Sequence, residues 1–184
     1  MAHQPMRIRK RELTDSFEIY KILAANHIIR IAFHDEDTGF PYILPINYGF
    51  EYDQQSGSLV FYVHCAQAGR KLNLLDKDNR VGFEIDESWG LHQTETACRW
   101  GMNFNSIVGE GRIYRIDDAD DEAKRHGLDV IMRSHGRFHD LVYTPASYRC
   151  TAILRLEVER FTAKVYRDRT MTSGDAAGVH PNHK

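Results

Sequence analysis

Cysteine is scarce in this sequence and carries no pairing pattern. The three thiols, Cys65, Cys98 and Cys150, lie far apart with no CxxC spacing. That leaves no support for a disulfide framework or a cysteine zinc site, and small buried side chains are the expectation. No apolar run approaches a membrane span, and Met1 to Pro5 lacks the apolar stretch of a signal peptide, so a cytoplasmic protein without a membrane partner is expected. An excess of one charge is also missing. Lys and Arg number 24 against 26 Asp and Glu, a formal net charge of −2, which removes the electrostatic signature of a nucleic-acid binder. No GxGxxG fingerprint occurs, so a Rossmann-type dinucleotide crevice is not expected.

What is present suits one domain. The 184 residues are 42% apolar and 27% charged, enough to bury about two-thirds of the unfolded surface. A basic arm, Arg7-Ile8-Arg9-Lys10-Arg11, precedes Asp15 and Glu18, whose spacing is that of a capping box, with Ile19, Ile22 and Leu23 at helical intervals behind it. The pattern predicts a helix over 15–25, a strand over 28–33, and a hairpin partner over 41–46 continuing to Tyr52. Pro45 should sit at an edge or bulge. Strands follow over 59–63 and 80–85, and then an irregular loop over 86–104. The run 106–116 has strand composition, and its Gly109 and Gly111 suggest a bulge or a close backbone approach. Acidic residues 117–122 open a helix with Leu128, Ile131, Met132 and His135 on one face. Strand 151–158 and a short extended piece over 161–166 close the domain, which spans residues 1–166; the polar stretch 167–184 is expected to be disordered. Six or seven strands with hairpin-length connections and two or three helices argue for a mainly β (α+β) protein, a small antiparallel β-barrel with peripheral helices.

One stretch concentrates chemistry. The apolar run Leu59-Val60-Phe61-Tyr62-Val63 leads into His64-Cys65-Ala66-Gln67-Ala68-Gly69-Arg70-Lys71 and then a short leucine-bearing helix. A glycine turn, two cations and the N–H groups of a helix start make a site for a phosphate. The same pattern also occurs on solvated loops.

Four pieces resemble a known family in order and spacing: Pro41-Tyr42-Ile43-Leu44-Pro45-Ile46-Asn47-Tyr48-Gly49-Phe50; Phe61 to Ala66 with Gly69-Arg70-Lys71; Asn79-Arg80-Val81-Gly82-Phe83-Glu84; and Cys98 to Gly111. The family is the flavin-binding split β-barrel group that includes pyridoxamine 5′-phosphate oxidase, in its nitroimidazole-resistance-like branch. The resemblance covers about residues 7–166 and implies a homodimer with FMN in two grooves at the subunit interface. It further implies that Asn47, Tyr48 and Gly49 lie along the flavin ring, that His64, Cys65 and Ala66 form the turn beneath the cofactor, and that Arg70 and Lys71 clamp its phosphate. Ser106 would be a polar contact on the next strand, and Trp100 would cover the ring or fill the interface. The C-terminal Arg and His signature of true pyridoxamine phosphate oxidases is not found, which points away from vitamin B6 oxidation.

His64 is the candidate catalytic residue, as a proton relay or as a cation beside negative charge; the alternative is a structural histidine bonded to backbone. His135 and His139 have a helical chelating spacing, but Gly136 between them and the lack of a third ligand favour a solvated helix end, and no metal is expected. Three functions remain open: a flavoenzyme passing electrons from NAD(P)H to a small-molecule substrate such as a nitroaromatic, a haem protein using His64 or His135 as axial ligand, and a non-catalytic flavin module.

Overall fold

A computed structural model describes residues 7–139 and 141–167; the expected tail falls almost wholly outside them. Seven strands and four helices run in the order β1 (Glu12–Leu13), α1 (Ser16–Ala25), β2 (Ile28–Phe33), β3 (Tyr42–Tyr52), β4 (Leu59–Ala66), α2 (Arg70–Lys77), β5 (Arg80–His92), β6 (Gly101–Arg115), α3 (Asp121–Ser134), α4 (Pro145–Cys150) and β7 (Thr151–Tyr166). Every pairing is antiparallel. The neighbours follow as β7-β4-β3-β2-β5-β6, and β6 pairs back onto β7 to close a six-stranded barrel. Closure removes the open sheet edge. The two-residue β1 adds to the second half of β7, where Leu13 stands opposite Ala163.

Alternation places one face of each strand inside. Ile31, Phe33, Phe61, Phe83, Ile85, Ile107, Ile113, Leu154 and Leu156 are almost fully buried there. Phe61 is the hub, meeting Phe83 and Tyr48 edge-on at ring separations of 5.2 and 5.3 Å, the geometry that aromatic quadrupoles prefer. Outside the barrel, α3 packs on β3 and β4 through a second cluster of Tyr62, Val130, Ile131 and Ile153. Gly49 makes that approach possible: a Cβ there would lie 2.5 Å from the Ile131 backbone.

Several expectations hold in detail. Asp15 caps α1 by accepting from the Glu18 N–H at 2.8 Å. Pro45 lies in the half of β3 that pairs with β2 alone, since pairing with β4 begins at Tyr48, so its missing N–H is least costly there. Gly109 and Gly111 are close approaches, with a register shift between Glu110 and Gly111.

Others need correction. Residues 86–104 are not a long loop. β5 continues to His92 and pairs with β6 as far as Gly101, with a register shift between Trp89 and Leu91 at Gly90, whose φ is +61°. This hairpin extension is mostly exposed, so the alternation that marks a half-buried strand is absent. His64, Cys65 and Ala66 are not a turn either. They are the last residues of β4, opposite Ile153, Ala152 and Thr151. On α3 the buried face is Lys124, Gly127, Val130 and Ile131, whereas Met132 and His135 are exposed. The inward stripe follows the close approaches of Gly49 to the Ile131 backbone and of Gly127 to Ile153 and Tyr62.

Replacing Gly49 with Ala should destabilise the protein by about 2–3 kcal/mol, because a backbone rather than a flexible side chain must move. Gly82→Ala, whose Cβ would meet nothing nearer than 3.9 Å, should stay within about 1 kcal/mol of wild type. Urea midpoints check this, and equal midpoints for the two variants would contradict the docking of α3 on β3.

Candidate functional site

The barrel end at which β4 stops gathers the chemistry that the sequence concentrated. After Ala66 the chain turns through Gln67, Ala68 and Gly69 into α2. Gln67 pins that turn, its Nε2 donating to the carbonyls of Arg149 and Thr151 at 3.0 and 3.1 Å and to Asp118 at 3.2 Å. Gly69 stands at the helix N-cap with φ +141°, a backbone conformation that side chains rarely adopt. The Leu72 and Asn73 N–H groups return to the Gly69 carbonyl. The Arg70 and Lys71 N–H groups are the first two of the helix, which leaves them free of an intrahelical acceptor and aimed at whatever lies before the helix.

The two cations of this turn have different fates. Arg70 bonds the buried carboxylate of Asp35 and lies over the Tyr42 ring, 4.6 Å from its centre. Arg70 holds Asp35 below the usual carboxylate range, and the Thr38 contacts add to this. At the other end of the helix Lys77 bonds Asp37 at 2.7 Å. Both ends of α2 are thereby tied to the turn after β2. Lys71 is half-buried, and no ion pair is recorded for it among the described residues. Its charge reaches back to β4, where it opposes protonation of His64 and eases ionisation of Cys65, whose thiol burial pushes up overall.

His64, exposed at the end of β4, is held below the ordinary histidine range first by partial desolvation from the groups packed around it, then by His135 and Lys71. A neutral imidazole at neutral pH follows. His135 comes from the end of α3, where its Nδ1 lies 2.9 Å from the Ile131 carbonyl, and its ring stacks on His27 at 5.2 Å. Asn47 joins them, its Nδ2 donating to the His27 carbonyl at 3.1 Å. Three histidines, Asn47 and Lys71 therefore assemble from five elements. His27 carried no local signal in the sequence. The chelating reading of His135 and His139 fails on geometry: α3 ends at Ser134, so the two do not share a helical face. Among the described residues no group of three or more His, Cys, Asp or Glu side chains is placed to hold a metal ion.

Not all of the expected residues meet. Tyr48 faces the core, its hydroxyl donating to the Leu23 carbonyl at 2.8 Å, and burial raises its pKa. Gly49 is covered by Ile131. Of that trio only Asn47 is exposed. Ser106 and Trp100 lie at the other end of the barrel. Ser106 is opposite Lys164 on β7 whereas His64 is opposite Ile153, which amounts to about 35 Å of strand. Trp100 caps the β5–β6 hairpin, half exposed, with its indole N–H donating to the Thr94 carbonyl at 2.7 Å.

A phosphate-bearing group fits the Lys71 end on this chain's own features, namely free helix N–H donors beside an unpaired ammonium and a neutral imidazole. The sequence matches the pyridoxamine 5′-phosphate oxidase family over residues 15–165. The fold is similar to that of a candidate 5-nitroimidazole antibiotic resistance protein from Bacteroides thetaiotaomicron, with 27% identity, 84% of this chain and 86% of that one covered, and a TM-score of 0.69. An FAD- and haem-binding protein from Mycobacterium smegmatis shares the fold at 18% identity over 90% and 78% of the two chains, TM-score 0.73. So does a flavocytochrome from Azotobacter vinelandii, at 21% identity over 94% and 77%, TM-score 0.69. No protein of curated function matches significantly. With a family match running from the cap of α1 almost to the end of β7, this chain belongs to the pyridoxamine 5′-phosphate oxidase family.

Proposed function

We propose that this protein is a cytoplasmic, homodimeric FMN-dependent oxidoreductase that passes electrons from a nicotinamide nucleotide to a small acceptor such as a nitroaromatic. The observation that carries the reading is the pairing of an unclaimed Lys71 with the open first turn of α2, directly beside His64. A phosphate dianion is the ligand that such a receptor favours, since helix N–H groups and an ammonium both act on the same charge. When bound, the flavin would supply hydride and electron exchange.

The chain's own residues do the rest. Lys71 and the α2 N–H groups hold the phosphate, while Arg70, tied to Asp35, keeps the helix start in place. His64, neutral before binding, carries a proton at its imidazole next to the acceptor's developing negative charge. Asn47 offers an amide at the strand surface. Trp100 and Ser106 join the site from a second copy, because their own protomer keeps them about 35 Å of strand away. An exposed sheet face supports that dimer. Ile28, Ile43 and Val108 are 46%, 58% and 50% exposed on the outer side of β2, β3 and β6, around an Arg30 that bonds Glu84 and Asp86 at 3.0 and 2.6 Å. Among the described residues the cysteines are free thiols, as in a reducing compartment.

Replacing Lys71 with Ala should weaken FMN binding by roughly 10- to 100-fold, the loss of about 1.5–3 kcal/mol from one charge-assisted contact; fluorescence titration of the flavin measures it, and unchanged affinity would remove Lys71 from the site. The pH dependence has a defined sign. A nearby phosphate raises the depressed His64 pKa, so binding takes up a proton and affinity rises as pH falls from 8 toward 6.5. His64→Gln should flatten that rise, and a wild-type affinity that does not change over the window would contradict the placement of His64. Anaerobic NADPH should bleach the bound flavin bands, and a Soret band in the purified protein would instead favour haem.

A further inference from the structure

The far end of the barrel holds a cavity of about 870 Å³ between the basic arm, α1 and the last residues of β7. Its charged wall is Lys10, Arg11 and Arg167, against one carboxylate, Glu18, which Lys21 already holds at 2.6 Å while Arg167 stands 3.9 Å away. Its floor is apolar, with Ile22 and Val165 among the lining residues. A surplus of positive charge over an apolar floor is the complement of an anion carried on a hydrophobic body.

Two unmet polar atoms sharpen that description. The Arg11 guanidinium lies 4.4 Å above the Tyr166 ring, and its Nε is buried without an acceptor. The Oδ1 of Asn105 is likewise buried without a donor. Asn105 is opposite Val165 on β7, and the register of Glu12 with Lys164 and of Leu13 with Ala163 brings Arg11 level with the same residue. An unused donor and an unused acceptor therefore flank one lining residue, on the row next to the core row that holds Leu13, Ala163 and Ile107. Buried polar atoms are normally paired, so an unpaired donor and an unpaired acceptor on one row call for a partner there, such as a water, an ion or a ligand.

We propose that this cavity binds a small aromatic anion, its phosphate or carboxylate held by Lys10, Arg11 and Arg167 and its ring lying on Ile22 and Val165. The site is separate from the Lys71 receptor of the same protomer, being on the Lys164 side of β7 rather than the Ile153 side, and it does not depend on the flavin reading.

Isothermal titration of the full chain with phenyl phosphate, benzoate and inorganic phosphate tests it. Phenyl phosphate should bind at least tenfold more tightly than inorganic phosphate, and benzoate shows whether a carboxylate serves equally. Arg11→Gln should weaken phenyl phosphate at least tenfold, and Lys10→Gln, at an exposed position where folding is not at stake, about threefold. Because the Lys71 end takes phosphate as well, each titration is repeated on the Lys71→Ala background, where only the far-end cavity is read and its affinity for phenyl phosphate should persist. The proposal is overturned if the wild type does not bind either aromatic anion, if inorganic phosphate binds as well as phenyl phosphate, if both basic-arm variants bind as wild type does, or if Lys71→Ala abolishes binding, which would place the anion at the opposite end.

Discussion

The ion pair between Arg70 and Asp35 is the constraint on which the candidate site depends. Asp35 is buried in the turn after β2, where it also accepts from the backbone N–H groups of Asp37 and Thr38. By holding Arg70 it fixes the start of α2 against the barrel wall, and Lys77 with Asp37 fixes the other end. Gln67 completes the hold from the β7 side. A helix held at both ends, and at its start by both Arg70 and Gln67, keeps its free N–H groups aimed in one direction. Such preorganisation makes an anion site strong, because the ordering cost is met when the protein folds and not when the ligand arrives. In the anion site we propose, Arg70 contributes through position and Lys71 through charge.

The same logic explains why the site sits at the end of β4. β4 is buried on its inner face by the barrel core, and part of its outer face is covered by α3. Only its last three residues emerge, and they emerge beside His135 at the end of α3 and beside α2. Gly49 and Gly127 let α3 approach closely enough for its C-terminal histidine to reach this rim. The fold and the site therefore share the docking of α3.

Much of this was legible in the sequence, for physical reasons that can be traced. The helix cap at Asp15, the strand at 28–33 and the buried run at 59–63 are local patterns whose signals are spacing and alternation, so they read correctly. The glycine turn at 67–69 leading into a helix with two cations at its start was legible as a motif. Which of its two adjacent cations is free was not: residues 70 and 71 point about 100° apart on a helix, and the partner that claims Arg70 lies in a turn 35 residues earlier. Tyr48 and Gly49 were placed along the flavin ring by the family resemblance alone, and no local pattern says that a helix from residues 121–134 covers Gly49 or that the Tyr48 hydroxyl reaches Leu23. His27 and His135 meet only through the tertiary fold. The hairpin at 86–104 was misread because most of it is exposed and its buried position is an asparagine, Asn103, so no hydrophobic alternation marks it.

The claim at the centre of this account is that the Lys71 end of α2 grips a phosphate. The most direct measurement compares the affinities of the full chain for FMN and for riboflavin, which have the same ring and differ in the phosphate. Gripped by an ammonium and free helix N–H groups, FMN should bind about 100-fold more tightly, on the order of 3 kcal/mol. Equal affinities would mean that the ring alone is recognised and that the braced start of α2 serves some other purpose.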